Sequence, residues 1–290
     1  MLKHRIISTC ILIPVIILTL ITLSTTQFSI CAAAVCLINA WEWGKIMRFS
    51  SMNQIIWIST IFFLLSLIIT IVVTQNIFSI KHWKIIWYFI GNITIIWWIL
   101  SFILIIYYPY STFFWKKSIF LRYCFGILII LPFFLGILTL HQLHYINKNF
   151  INTWWLLYIL ILVWVNDSSA YIIGRTLGQH KLLPSISPEK TWEGCIGGIL
   201  ISIGTSWLLI KYIITHNTVF MMSPHIIFIY SIISIITSVI GDLNESMFKR
   251  TSGIKDSGNI IPGHGGLLDR TDSVTAAIPI FTYLILLDLS

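Results

Sequence analysis

The chain has 290 residues, of which 57% are hydrophobic and only 10% charged, against roughly 25% charged in a soluble domain. Water is thereby excluded as its main solvent. The net charge of +8 does not indicate nucleic acid, because the basic residues flank apolar runs instead of lining a polar face, and five cysteines without a CxxC pair exclude a disulfide framework or a thiolate zinc site.

Apolar runs near residues 6–23, 28–43, 55–73, 85–109, 119–140, 152–171, 195–214, 225–241 and 273–289 recur along the chain. Most are long enough to cross about 30 Å of hydrocarbon as helices. The expectation is an all-α, polytopic integral membrane protein of about nine transmembrane helices with polar loops on the cytoplasmic side. Lys3 and Arg5 before the first run, with Ala32, Ala33 and Ala34 behind it, imitate a signal peptide. The length of that run and the spans that follow point instead to an uncleaved first helix. With the N-terminus inside, fourteen lysines and arginines fall on the cytoplasmic side and four outside, the four being Lys81, Lys84, Lys148 and Lys211. That bias follows the positive-inside rule and fits a bacterial-type inner membrane.

Residues 1–150, rich in aromatics and isoleucine, read as a scaffold of lipid-facing transmembrane helices, and residues 151–290 as the catalytic transmembrane region. The acidic residues draw this line: the first 166 positions contain one, Glu42, and all the others follow. Carboxylates at membrane level are expensive unless they pair or hold cations.

Two polar loops carry the chemistry. In the first, residues 166–194, Lys190 and Thr191 stand just before the seventh span, where free backbone amides and the helix dipole favour a phosphate. In the second, Asp242 and Glu245 leave the eighth span while Asp269 and Asp272 enter the ninth. Each pair is spaced i, i+3, which puts both members on one helix face. Antiparallel packing of the two helices would bring the faces together and offer oxygens to one or two Mg²⁺ ions. Between them, Pro262, Gly263, His264, Gly265 and Gly266 form a turn able to aim amides at phosphate oxygens. Lys249, Arg250 and Lys255 add positive charge. Together these features fit a phosphoanhydride substrate. No GxxxxGK[ST], GxSxG or HExxH motif occurs, so P-loop ATPase, serine hydrolase and zincin chemistry lose their support.

Ser246, Phe248, Lys249, Arg250, Lys255, Asp256, Gly258, Ile261, Pro262, His264, Gly265, Gly266, Leu267, Asp269, Arg270, Thr271 and Asp272 follow in full the pattern of the phosphatidate cytidylyltransferases, or CDP-diglyceride synthases, which this chain resembles. The stretch from Asp167 to Gly194 is similar to the loop that family carries before its last helices. The resemblance implies transfer of the cytidylyl group of CTP to phosphatidate, with Mg²⁺, giving CDP-diacylglycerol and pyrophosphate. On that reading Asp242, Asp269 and Asp272 hold the metal, and Lys249, Arg250 and His264 join them in the catalytic set. Lys190, Thr191, Ser246, Lys255, Asp256, Gly265, Gly266 and Arg270 bind substrate. The partners are CTP, phosphatidate and the lipid bilayer, with no nucleic acid; pairing into a homodimer is left open. Two other classes share parts of the pattern, a CTP-dependent lipid kinase and a secondary anion transporter. The kinase would release CDP, and the transporter would place its carboxylates at mid-bilayer instead of at helix ends.

Overall fold

The computed structural model describes residues 14–74, 80–146, 154–216, 223–260 and 265–288. After a helical segment at 14–22, α1 (Thr25–Ile46) starts from a capping box: the Ser24 hydroxyl accepts from the Gln27 amide and the Gln27 side chain accepts from the Ser24 amide. There follow α2 (Ser51–Thr74), α3 (Ile80–Ile106), the single turn α4 (Thr112–Trp115), α5 (Ile119–Ile146) and α6 (Trp154–Thr176). A small antiparallel hairpin, β1 (Lys181–Leu183) and β2 (Ser187–Thr191), pairs Lys181 with Thr191 and Leu183 with Ser187. Then come α7 (Trp192–His216), α8 (Pro224–Thr251) and α9 (Leu268–Asp288).

Among the described residues, seven helices are long and apolar enough to cross a membrane: α2, α3, α5, α6, α7, α8 and α9. Residues 6–13 of the first expected span, 6–23, lie outside the described residues, and 14–22 are helical. The second is helical as α1, but it carries Gln27, Asn39, Glu42 and Lys45 and is not among the seven. The clearest differences from the sequence reading are at the polar end of the last two spans. Residues 242–251, expected to begin a loop, continue α8, and α9 starts at Leu268 instead of 273. The reason is that the polar face of these turns is turned toward protein: Glu245 and Lys249, four apart, pair on α8 at 3.1 Å, and Lys249 reaches α9. The first polar loop likewise contracts, because α6 runs on to Thr176 and the hairpin takes up much of the rest.

The helix α9 is the axis of the bundle, packed against α1, α3, α5, α6 and α8. Its span is 72% buried, whereas that of α2 is 22% buried. Composition follows from this position. Lipid-facing α2 is dominated by Ile, Leu, Phe and Val, while the middle of α9 is rich in Ser273, Thr275, Ala276, Ala277 and Pro279, small residues that let neighbouring backbones come close. Buried polar groups tie the helices together: Trp57 Nε1 donates to the Ala40 carbonyl (2.8 Å), Trp43 Nε1 to that of Arg122 (3.1 Å), and Trp87 Nε1 to Thr139 Oγ (2.9 Å). Tyr158 on α6 links Ser206 of α7 and Ser231 of α8 at 2.8 and 2.6 Å. Phe248 of α8 sits among Trp43, Trp115 and Phe125, so residues before and after 150 share one core.

The helices α8 and α9 run antiparallel over their whole length. Lys249 meets Asp269 at one end (2.5 Å), and Tyr230 donates to Asp288 at the other (2.6 Å). Midway, Gly241 allows the crossing: a Cβ there would fall 2.6 Å from the Asp272 carbonyl oxygen and 2.8 Å from Ala276 Cβ. Gly241→Leu is therefore expected to overpack this contact at a cost of about 1–3 kcal/mol and to lower the thermal midpoint in detergent by several degrees. Gly204→Ala, where an added Cβ meets nothing within 4 Å, serves as the control and should leave the midpoint unchanged or slightly higher.

Candidate active site

The hairpin is fixed to the helices at three places. At its start, Glu193 in the first turn of α7 accepts from the backbone amides of Gln179 and His180 (both 3.1 Å) and pairs with His180 Nδ1 at 2.5 Å. At its turn, the buried Ile186 offers its carbonyl to Arg250 Nε of α8 (3.0 Å), and Arg250 Nη1 also reaches the Ile254 carbonyl (3.3 Å). At its end, Lys190 forms an ion pair with Asp242. Thr191, buried, caps α7, its hydroxyl accepting from the Gly194 amide at 3.2 Å.

Under the hairpin lies a polar cavity of about 670 Å³, bounded by α6, α7, α8 and both strands. That size is in the range of about 300–1,000 Å³ typical of small-molecule pockets. Its walls carry Asp167, Arg175, Lys181, Lys190 and Asp242. Behind Asp242 the acidic groups continue into the α8–α9 junction. Ser273 of α9 donates to Asp167 at 3.3 Å. Asp272 lies within electrostatic reach of Asp167, Asp242, Glu245 and Lys249. The Lys249 ammonium sits between Glu245 (3.1 Å) and Asp269 (2.5 Å), all three side chains being largely buried.

Five carboxylates (Asp167, Asp242, Glu245, Asp269 and Asp272) thus face two lysines, Lys190 and Lys249. A surplus of carboxylate oxygen in a partly dehydrated place is the donor chemistry that suits a hard divalent cation. Among the described residues no three acidic, histidine or cysteine side chains converge into a ready-made metal cage. A cation there would draw on carboxylates that now face lysines or each other.

Of the glycine turn, Gly265 and Gly266 are described, and the sequence pattern makes their amides candidates for a phosphate. The Gly266 amide donates to Asp269 Oδ2 (2.8 Å), and the next two amides, of Leu267 and Leu268, donate to Glu42 at 3.1 and 2.7 Å. The anion on these amides is the protein's own carboxylate. Gly265 has a φ of +85°, the left-handed conformation that favours glycine. Pro262, Gly263 and His264 lie outside the described residues.

The predicted site residues therefore divide. Asp242, Lys190, Asp272, Asp269 and Lys249 gather along the cavity and the α8–α9 junction. Arg250 and Thr191, expected at phosphate, are engaged in fixing the hairpin and capping α7. Lys255 makes an exposed 3.5 Å ion pair with Glu189, Asp256 and Arg270 are exposed, and Ser246 is half-buried on α8. The sequence pattern marks Glu245 only as one of four carboxylates able to offer oxygens to Mg²⁺, and it gives no role to Glu42 or Asp167. For Glu42 a signal was present: it is the lone carboxylate of the first 166 residues, embedded in an otherwise apolar and aromatic stretch, where an unpaired charge would not be tolerated.

The model of the cytidylyltransferase family matches residues 3–288. The chain belongs to this family. It is 37% identical to the phosphatidate cytidylyltransferase of Haemophilus influenzae, with 98% of each chain covered. It is 32% identical to that of Pseudomonas aeruginosa, over 98% of this chain and 97% of the relative. With the phosphatidate cytidylyltransferase of Staphylococcus haemolyticus it shares 43% identity over 132 residues, 46% of this chain and 49% of the relative. The family pattern noted above, from Ser246 to Asp272, spans the last two turns of α8, the link, and the first turn and a half of α9. It therefore marks the junction where the buried lysine and carboxylates meet.

Because Arg250 supplies hydrogen bonds from a charged donor to two backbone carbonyls, Arg250→Ala should release the hairpin at a cost of about 1–3 kcal/mol. Limited proteolysis of the purified protein is expected to cut within 181–191 faster, with a lower thermal midpoint. Lys255→Ala, which removes only an exposed ion pair, should leave the midpoint where it was.

Proposed function

We propose that this chain transfers the cytidylyl group of CTP to phosphatidate, releasing pyrophosphate and leaving CDP-diacylglycerol in the membrane. The observation that carries the reading is the match to the cytidylyltransferase family across residues 3–288, with relatives of that activity aligned over nearly the whole chain. The polar cavity beside a carboxylate-rich helix junction supports it.

Phosphatidate brings its own nucleophile, a phosphomonoester whose second pKa of about 6 leaves it largely dianionic at neutral pH. One of its oxygens forms a bond to the α-phosphorus of CTP while the bond from that phosphorus to the β-phosphate oxygen breaks, and pyrophosphate leaves with the electron pair. No serine or cysteine nucleophile is needed. The obstacle is electrostatic, since two anions must meet in line. Arg175, Lys181 and Lys190 line the cavity wall and would receive phosphate oxygens, Lys190 by exchanging its ion pair with Asp242. Asp242, Asp269 and Asp272 would hold Mg²⁺, whose contribution when bound is to neutralise the triphosphate and the departing pyrophosphate. Lys249, held between Glu245 and Asp269, offsets part of the repulsion among these carboxylates in the free protein.

The site is assigned to the cytoplasmic face of a bacterial inner membrane, where CTP arrives from water and the acyl chains of phosphatidate stay in lipid. The charge bias of the loops and the bacterial relatives support this orientation. On a cysteine-free background, Ser185→Cys and Asn259→Cys should be shielded from an impermeant thiol reagent in intact cells and label after lysis. Labelling in sealed cells would reverse the topology.

The test of activity is purified protein with CTP, phosphatidate and Mg²⁺, scored for a nucleotide-linked lipid and for pyrophosphate. Release of CDP instead would point to a lipid kinase. Within that assay Asp272→Asn is the informative variant. Asp272 stands among like charges, so removing its charge relieves repulsion and should leave the thermal midpoint unchanged or raised. Turnover should nevertheless fall by at least about 10²-fold, the scale on which electrostatic stabilisation of phosphoryl transfer is felt. Asp288→Asn, at the far end of α9 against Tyr230, should be nearly silent. Wild-type turnover by Asp272→Asn at limiting Mg²⁺ would remove this carboxylate from the metal set.

A further inference from the structure

Glu42 is fully buried on α1, in the half of the sequence that reads as scaffold, yet it accepts hydrogen bonds from Ser257, Leu267 and Leu268, in the segment that enters α9. One oxygen accepts from the Leu267 amide (3.1 Å), the other from the Leu268 amide (2.7 Å) and from Ser257 Oγ (2.8 Å). The Ser257 hydroxyl also stands 3.0 Å from Asp269 Oδ2, and the Ser257 amide donates to that same oxygen at 2.9 Å. A hydroxyl has one proton to give, so Ser257 is shared between the two carboxylates and couples their positions. The opposite oxygen of Asp269 is the one that meets Lys249.

Two glycines of the family pattern are shaped around this group. At Gly266 a Cβ would run into both Ser257 Oγ and the Glu42 carboxylate, and at Gly258 it would run into the Glu42 carboxylate. Neither of these glycines has a positive φ, so what they supply is room for Glu42, whereas Gly265 supplies a left-handed turn. A carboxylate at the N-terminus of a helix also complements the helix dipole. It is worth most where, as here, it is buried and bonded to the terminal amides.

We infer that Glu42 is a positioning residue for the transfer reaction: from α1 it holds the first turn of α9 and, through Ser257, sets the Asp269 carboxylate against Lys249. The inference rests on the proposed cytidylyl transfer only in assigning Asp269 and Asp272 to the reacting site; the holding of α9 is independent of it. Glu42→Gln keeps the volume but puts a carboxamide NH2, itself a donor, against one of the donors that Glu42 accepts from, so the first turn of α9 should loosen without losing the helix.

The experiment uses the full-length protein in lipid nanodiscs, comparing wild type, Glu42→Gln, Ser257→Ala and the double variant. Without substrate, exchange of the Leu267 and Leu268 amides is expected to be faster by about tenfold or more in Glu42→Gln. With CTP and phosphatidate, kcat should fall about 10- to 100-fold, the effect of a misplacement near 1 Å. KM for phosphatidate should be unchanged, and half-saturating Mg²⁺ should rise. The double variant should lose no more than Glu42→Gln alone, since both act through one chain of hydrogen bonds. Wild-type kcat and Mg²⁺ requirement in well-folded Glu42→Gln, or losses that multiply in the double variant, would overturn the inference. Should Glu42→Gln not be monodisperse, Ser257→Ala decides, because it deletes one hydroxyl: a lowered kcat with unchanged KM supports the link, and wild-type kcat overturns it. If the wild type made no nucleotide-linked lipid, the activity would be refuted, while the exchange of Leu267 and Leu268 would still decide whether Glu42 holds α9.

Discussion

A charge close to the hydrocarbon of a membrane has to find a partner, and at the end of the α8–α9 pair the partners have to be other residues of the chain. Lys249 meets this requirement between Glu245 and Asp269. Asp269 in turn is fixed by Ser257 and Gly266, and the amides beside Gly266 are taken up by Glu42. Much of the local architecture follows from this chain of pairings: the extension of α8 past 241, the early start of α9, and the absence of side chains at 258 and 266. The lone buried pair would be costly, because desolvation of two ions is repaid only where geometry and further hydrogen bonds are good. Here those further bonds come from the loop itself, so the ion pair and the loop conformation stabilise one another.

The same rule shapes the rest of the bundle on a smaller scale. Where helices meet in lipid, apolar contact by itself gives little preference for one neighbour over another, and the tryptophan, serine and threonine bonds between α1, α2, α3 and α5 and between α6, α7 and α8 provide that preference. The outward faces stay apolar, as at Ile55, Phe62 and Phe63 on α2. Against this rigid frame the hairpin is attached by side chains from α7 and α8, which closes one side of the cavity with residues that carry positive charge, Lys181 and Lys190.

Helices were the legible part of the sequence, because length and apolarity decide them locally: α2, α3, α5, α6 and α7 appear close to where hydropathy puts them. The polar ends were not, since a hydropathy reading stops a helix where charge begins, while Asp242, Glu245 and Lys249 remain helical by pairing across to α9. The short hairpin had no alternating pattern to announce it. For the site, the family pattern around Lys249 and Asp269 covers the junction of α8 and α9. It could not show that Arg250 is turned to the Ile186 carbonyl, nor that the Gly266 amide faces a carboxylate, because both depend on segments far apart in sequence. Glu42 is the clearest case: its partners lie 215 to 226 positions away.

The position of α9 at the centre of the bundle has a bearing on how the protein is made. A membrane protein is inserted in order, and α9 follows the other helices while contacting α1, α3, α5, α6 and α8. Until it enters, Glu42 and Asn39 lack the partners they have in the finished fold, Leu268 and Thr271, and the earlier helices surround a space that only α9 fills. An intermediate without α9 therefore lacks the bonds that satisfy these two buried polar groups. Entry of α9 would complete the bonds of α1 and form the α8–α9 junction together, so that the buried charges of that junction find their partners only when the bundle closes.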